Sequence, residues 1–457
     1  MAADFAELDD LKEDDAEAHV QGVCFKTGPP ARTGVELEWL VQDRSDPRLL
    51  IPVDRLNAAL APVEAPGALP RGSRVTREPG GQVELSSPPA DSLAGCVEAM
   101  AADLTAMRRA AGQAGLVLLG RGLDPYRASP RVLDEPRYRA MESFFDREGP
   151  WGRTMMRSTA SLQVNLDSGD AGDGVTGYRR RWELAHRLGP VLVAAFANSP
   201  IAAGRPTGWL STRQATWGLM DPGRTRQPRH HDDPRTAWAR YALDARVLCI
   251  RSDGRGTDPG PPQGIRSDGH GPGSGPSEAV RSSGGAPRRT AEADWTAPPG
   301  LTFRGWLRGV PGLRAPTVAD LDYHLSTLFP PIRPRGWLEL RMTDAQDGDG
   351  WIVPTAVAAT LLDDPVAADA AYAATEPLCM DGDPVPPDDV WRRAARIGLA
   401  DPDLATAARA CFAAADGSLA RSGVPAALRQ AVSDFAERYV ERGRCPAHDQ
   451  LDALSRA

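Results

Sequence analysis

Four short stretches of this chain place polar side chains at every second position, with apolar residues between them. The one that organises the rest is Ile332-Arg333-Pro334-Arg335-Gly336-Trp337-Leu338-Glu339-Leu340-Arg341. Trp337, Leu338 and Leu340 favour a strand, predicted over residues 332–343, on which Glu339 and Arg341 share one face. Such a pair is either a structural ion pair on a solvated strand or part of a site that holds something. The alternation recurs in Gly34-Val35-Glu36-Leu37-Glu38-Trp39-Leu40, in Gly80-Gly81-Gln82-Val83-Glu84-Leu85-Ser86 and in Ser161-Leu162-Gln163-Val164-Asn165-Leu166-Asp167. A sheet with one face on the core and one polar face reads this way. A solvated sheet face is ordinarily filled with Thr, Lys and Arg. Here it carries carboxylates and carboxamides, oxygen ligands suited to hard cations. The pattern predicts a polar sheet face that binds Mg²⁺ and a phosphate-bearing nucleotide.

The 457 residues suffice for one large domain or for two to three ordinary ones. A net charge of −8 gives no electrostatic footprint for nucleic acid. Lysine is confined to Lys12 and Lys26, and no G-x-x-x-x-G-K-[ST] occurs, which argues against a P-loop and against Schiff-base chemistry. The weight of Arg, Ala, Gly and Pro points to GC-rich coding and an actinobacterial source. Cys24, Cys96, Cys249, Cys379, Cys411 and Cys445 form no C-x-x-C and read as reduced, packed thiols of a cytoplasmic protein. The acidic N-terminus has no apolar h-region, and no apolar run reaches the roughly 18 residues of a membrane span.

Taken in order, residues 1–30 form an acidic lead-in with a short helix over 5–18. Strand pieces are expected near 49–53, and a strand over 155–167 carries the third polar row. Leu93, Val97, Met100, Leu104 and Met107 recur at helical spacing behind Asp91 or Ser92 as N-cap. Further helices are predicted over 136–147, 176–197 and 317–329, the last capped by Thr317, with an Ala- and Leu-rich run of helices over 353–441. Arg213, between Trp209 and Trp217, is either a surface arginine stacked on a tryptophan or a guanidinium clamp for a carboxylate. His230 and His231 are adjacent on a solvated loop and cannot easily converge on one ion, and His324 reads as a satisfied core histidine. Residues 251–294, dense in Gly, Pro, Ser, Arg and Asp, cannot bury enough surface to offset their ordering entropy and are predicted to be a disordered insertion. Cys249-Ile250 before it and residues 295–306 after it read as one interrupted element.

The ordered motifs also match a family. Gly34-Val35-Glu36-Leu37-Glu38-Trp39 stands where that family has G-T-E-H-E-K in an early strand. Residues 80–89 correspond to G-G-Q-F-E-L-S-G-A-P, residues 159–167 to T-C-T-V-Q-V-N-L-D, and residues 211–217 to S-M-R-S-x-x-W. Residues 324–333 follow H-L-T-T-x-F-P-x-V-R, residues 338–341 follow L-E-M-R, and F-A-N-S-P is identical at 196–200. Over about residues 34–345 the chain thus resembles the glutamate–cysteine ligases of the plant-like class, most closely the actinobacterial members that serve ergothioneine biosynthesis. Leu37 and Trp39 replace the family's His and Lys and spare both glutamates. The plant enzymes' regulatory cysteines find no match, so redox control is not implied.

The resemblance implies an α+β, glutamine-synthetase-like fold: a curved, largely antiparallel sheet with a polar concave face, packed by helices, and a helical C-terminal region from about residue 353. Residues 31–457 would then be a single catalytic domain that carries the insertion. Glu36, Glu38, Glu84 and Glu339 match metal- or nucleotide-side carboxylates. Arg213 matches a glutamate-binding arginine; Gln163, near the carboxylates, and Asn165 are further substrate-binding candidates, with Arg157 as another and Tyr241 at the cysteine pocket. Arg335 and Arg341 fall where arginines meet phosphates. The implied reaction joins the γ-carboxylate of L-glutamate to the amine of L-cysteine through a γ-glutamyl phosphate, using ATP and Mg²⁺ and giving γ-glutamylcysteine. Its partners are these small molecules, not nucleic acid or membrane, and the oligomeric state is left open. A ligase of the same fold for a different amine, or a non-catalytic member, stays open as an alternative.

Overall fold

A computed structural model describes residues 11–228, 233–251, 294–380 and 382–456. The main sheet comprises β1 (Thr33–Asp43), β2 (Arg74–Arg77), β3 (Val83–Ser86), β4 (Leu116–Leu119) and β5 (Ser161–Asp167). After a separate two-stranded ribbon of β6 (Ile201–Ala202) and β7 (Arg205–Pro206), it is completed by β8 (Ile332–Pro334) and β9 (Trp337–Asp344). The order is β2-β3-β1-β5-β9-β8, with each neighbouring pair antiparallel and β4 paired to residues 40–43 of β1. The register lines the polar positions up across the strands. Glu38 lies opposite Glu84, Glu36 sits between Ser86 and Gln163, and Asn165 lies opposite Glu339.

The intervening residues point to the other face, because successive strand side chains alternate. Val35, Leu37, Trp39, Val83, Leu85, Leu162, Val164, Leu166, Leu338 and Leu340 are all at most 2% exposed. Burial of each such side chain stabilises the fold by about 1.5–3 kcal/mol. Leu37 and Trp39 therefore belong to the core side, so the departure from the family pattern leaves the polar face untouched. Helices Leu93–Gln113, Tyr178–Phe196 and Ile352–Asp363 pack on this sheet. The first opens on Ser92, whose hydroxyl accepts from Gly95 N–H, and it buries Met100, Leu104 and Met107. Helix Val318–Leu325 opens on a reciprocal capping box of Thr317 and Asp320. Pro365–Thr375, Asp388–Ile397, Pro402–Arg421, Ala426–Phe435 and Pro446–Arg456 make the C-terminal portion helical.

Several expectations need correction. The strand predicted over 332–343 is a hairpin, because Arg335-Gly336 turns between β8 and β9, with Gly336 at φ +86°. Residues 155–158 belong to helix Trp151–Ser158, which buries Met155 and Met156, and the strand begins only at Ser161. Residues 49–53 hold no strand. Leu49 and Leu50 are 50% and 58% exposed, and Pro52, which has no N–H to donate, leads into helix Val53–Glu64. The N-terminal helix spans Glu13–Cys24 and packs on helix Pro234–Asp244, while residues 1–10 lie outside the described residues. His230, His231 and residues 252–293 of the insertion also lie outside them. The flanks of that insertion do meet: Cys249 bridges to Thr296, and Ile250 N–H donates to the Trp295 carbonyl at 2.8 Å. His324 is buried, with Nε2 2.8 Å from the Ala242 carbonyl, and burial beside Arg224 pushes its pKa down to about 3.

Candidate active site

A cleft of about 420 Å³ opens on the polar face. Glu36, Glu38, Glu84, Gln163, Arg213, Arg335 and Arg341, all predicted from the sequence, line it. Neutral groups hold the first three carboxylates. Asn165 Nδ2 donates to Glu36 Oε1 at 3.0 Å. Ser161 N–H and Gln163 Nε2 donate to the two oxygens of Glu38 at 2.7 and 3.1 Å. The Thr76 and Ser86 hydroxyls donate to Glu84 Oε1 at 2.8 and 3.0 Å.

Glu339 lies beneath them, fully buried, and its partners are charged. Arg333 Nε and Nη2 donate to its two oxygens at 2.6 and 2.9 Å, and Arg341 Nη1 adds a third bond at 2.9 Å. Of the two readings of the Glu339/Arg341 pair, the ion pair is present, but it is buried inside the site. Arg341 also donates to Gln163 Oε1. Arg213, 2% exposed, stands on helix Thr212–Gly218. Its Nη2 donates to the Arg341 carbonyl at 2.7 Å, and its guanidinium carbon lies 5.8 Å from the Trp217 ring centroid. It stacks on a tryptophan, as one alternative held, but as a buried group and not as a surface one.

The different partners drive the acids apart electrostatically. Burial, then the charges of Glu339 and Glu84, push Glu36 up to about 7 from its ordinary 4.5. Burial raises Glu38, with Arg213 opposing, and burial with the Glu38 charge raises Glu84. Burial alone would also raise Glu339, but Arg333, Arg341 and Arg335 outweigh it and hold that carboxyl at about 2.

Among the described residues no three His, Cys, Asp or Glu side chains form a ready-made metal cage. Mg²⁺ is usually held by one or two carboxylates together with phosphate oxygens. The oxygen-only set of Glu36, Glu38 and Glu84 fits that mode, since a dication would supply the counter-charge that these buried acids, each raised by burial, lack. A cation at Glu339 would have to share its oxygens with Arg333 and Arg341.

Two predicted residues stand apart from this cleft. Arg157, in the last turn of helix Trp151–Ser158, is paired with Glu142 through Nε at 2.8 Å. Tyr241, on helix Pro234–Asp244, stacks on Trp238 with ring centroids 5.2 Å apart, and burial pushes its phenol up. Neither lines the cleft. Asn165 lies between two spaces: it holds Glu36 on one side and on the other borders a second cavity of about 270 Å³ with Lys26, Arg32 and Trp337. The sequence reading missed Glu78, Arg137 and Arg333, which also line the cleft. Burial and the charges of Glu84 and Glu38 push Glu78 well up. Its signal was available, because it directly precedes the Pro-Gly-Gly-Gln turn into the second polar strand. Arg333 lay inside a matched motif. Arg137, on helix Pro136–Phe145, had no local signal.

The profile of glutamate-cysteine ligase family 2 (GCS2) matches residues 32–456. The chain is 40% identical over 445 residues to the glutamate–cysteine ligase EgtA of Mycolicibacterium smegmatis, covering 96% of this chain and 91% of that protein. It is 39% identical over 470 residues to EgtA of Mycobacterium tuberculosis, covering 99% and 95%. The chloroplastic glutamate–cysteine ligase of Arabidopsis thaliana is 29% identical over 286 residues, covering 61% of this chain and 46% of that one. With a profile match across nearly its whole length and relatives at this identity, the chain belongs to glutamate-cysteine ligase family 2.

Proposed function

We propose that this family member joins the γ-carboxylate of L-glutamate to the amine of L-cysteine with ATP as the phosphoryl donor, in the cytoplasm, and that the product serves ergothioneine biosynthesis. The observation that carries the reading is the juxtaposition in one cleft of carboxylates held by neutral donors with Arg213, Arg333, Arg335 and Arg341. In this reading a γ-carboxylate oxygen of glutamate displaces ADP from the γ-phosphorus, and the cysteine amine then displaces phosphate from the acyl carbon with loss of a proton. Glu36, Glu38 and Glu84 would hold Mg²⁺, with Glu339 shared between it and the arginines. When bound, the ion supplies charge neutralisation for the phosphates. Arg335 and Arg341, which line the cleft, would stabilise the charge of the transferring phosphoryl group. Arg213 carries a planar guanidinium suited to a substrate carboxylate. Chemistry of this kind needs no protein nucleophile and no P-loop.

ADP release by the purified protein, with Mg-ATP alone, then with glutamate, then with glutamate and cysteine or other amines, tests the proposal. Release should require glutamate and rise with cysteine, with γ-glutamylcysteine identified by mass. Release with another amine but not with cysteine would reassign the acceptor, and no release by the folded protein would reject the ligase reading.

A further inference from the structure

The motif Phe196-Ala197-Asn198-Ser199-Pro200 takes no part in the chemistry above, yet Asn198 and Ser199 are 3% and 1% exposed. Both turn onto Asp344, the last residue of β9, itself 2% exposed. Asp344 Oδ2 accepts from Asn198 N–H at 2.9 Å and from the Ser199 hydroxyl at 2.7 Å. Oδ1 accepts from the Ser211 hydroxyl at 2.9 Å. Ser211 is the N-cap of helix Thr212–Gly218, where its oxygen accepts from Gln214 N–H at 3.2 Å, and the Ser199 oxygen accepts from Arg213 N–H at 3.2 Å. Asp344 Oδ1 also lies 3.6 Å from Arg213 Nη1. Behind this group, Gln450 of helix Pro446–Arg456 donates to Asn198 Oδ1 at 2.6 Å and to its carbonyl at 3.0 Å. The loop at Gly122 is pressed against the same carboxylate, since a side-chain carbon there would stand 2.4 Å from Asp344 Cγ.

A buried guanidinium needs a counter-charge, and its planar fork discriminates only if it is held at a fixed angle. Asp344 lies against Nη1 and supplies that charge together with Glu38, and it holds the fork together with the Arg341 and Met342 carbonyls. We propose that Asp344 is the positioning residue for Arg213. Through Ser199 and Ser211 it fixes the first turn of helix Thr212–Gly218, and through its charge it aims the guanidinium at the substrate carboxylate. Asn198 and Gln450 brace it from the C-terminal helix, so that helix supports the site without reaching the cleft. Asp344 itself does not touch substrate. The inference rests on the reading of Arg213 as the glutamate-holding arginine.

Asp344→Asn keeps the shape and removes the charge. The test varies glutamate, ATP and cysteine in turn for the full-length Asp344→Asn, Ser211→Ala and Arg213→Ala proteins, with thermal unfolding in parallel. Asp344→Asn should raise KM for glutamate roughly tenfold or more while leaving KM for ATP unchanged, the pattern of lost substrate orientation. Ser211→Ala should show a smaller rise of the same selectivity. Equal rises for all three substrates, or a lower kcat with an unaltered glutamate KM, would make Asp344 merely structural and overturn the proposal. Should Asp344→Asn not fold, Ser211→Ala decides, and a normal glutamate KM there overturns it. An Arg213→Ala protein with unchanged glutamate KM rejects the assignment of Arg213, and the proposal falls with it. Arg213→Ala impaired beside a normal Asp344→Asn rejects the positioning role alone.

Discussion

Glu36 accepts its hydrogen bond from a neutral amide, whereas both oxygens of Glu339 accept from guanidinium groups. That difference sets opposite pH behaviour. The folded-state pKa of Glu36 is raised from 4.5 to about 7, so its stability contribution is fully present below 4.5 and lost as pH rises through 7. Glu339 is depressed to about 2, so its contribution is present above 4.5 and lost only as pH falls through 2. Between pH 5 and 8, without Mg²⁺ or nucleotide, the melting temperature should therefore fall as pH rises. The Glu36 share is on the order of 1–2 kcal/mol after allowing for its partial exposure. Glu36→Gln should flatten that slope and abolish turnover while the fold persists, and a slope unchanged in the variant would remove Glu36 as its cause. Glu339→Ala should also abolish turnover, but it strands Arg333 in the interior and should lower stability by about 3–5 kcal/mol in denaturant titration. Equal stability of the two variants would count against the buried ion-pair account.

At the level of the element, the β8–β9 hairpin delivers Arg333, Arg335 and Arg341 to the cleft, and Glu339 to the layer buried beneath it, from a single short segment. Its turn depends on Gly336 at φ +86°, tied by its N–H to the Cys24 carbonyl at 2.7 Å. A side chain at that φ costs about 1–2 kcal/mol. Gly336→Ala should lose about that much stability and reduce turnover further by shifting Arg335, whereas a rate within twofold of the parent would show that the turn geometry is not critical. The sequence pointed to this segment but read one strand where there are two. Period-2 alternation marks which face a residue takes; it does not mark a glycine turn that leaves the alternation on both sides intact. Residues 155–158 were misassigned for a related reason: their Met-Met-Arg-Ser run has no polar/apolar alternation, and the reading extended the strand back across a helix.

For the whole molecule, the insertion leaves and returns at paired positions, with Ile250 N–H bonded to the Trp295 carbonyl. Closing a short loop between ends this near costs little entropy. Replacing residues 254–290 by a short Gly/Ser linker should leave the melting temperature and the ligase rate close to those of the parent, and a severe loss of rate would mean that the segment serves the cleft. The sequence by itself determined a sheet with a polar and an apolar face, the helical C-terminal portion and the placing of Glu36, Glu38, Glu84 and Glu339 on the polar face, because alternation and capping are written in neighbouring residues; the antiparallel order was implied only by the family resemblance. Only the tertiary structure decided that Glu339 is held by Arg333 and Arg341, that Arg157 and Tyr241 stand apart, that Glu78 and Arg137 join the cleft, and that Asp344 lies under Arg213. Each of these depends on which distant segments pack together, and hydrogen bonds and ion pairs act over a few ångströms of space, not over positions in a chain.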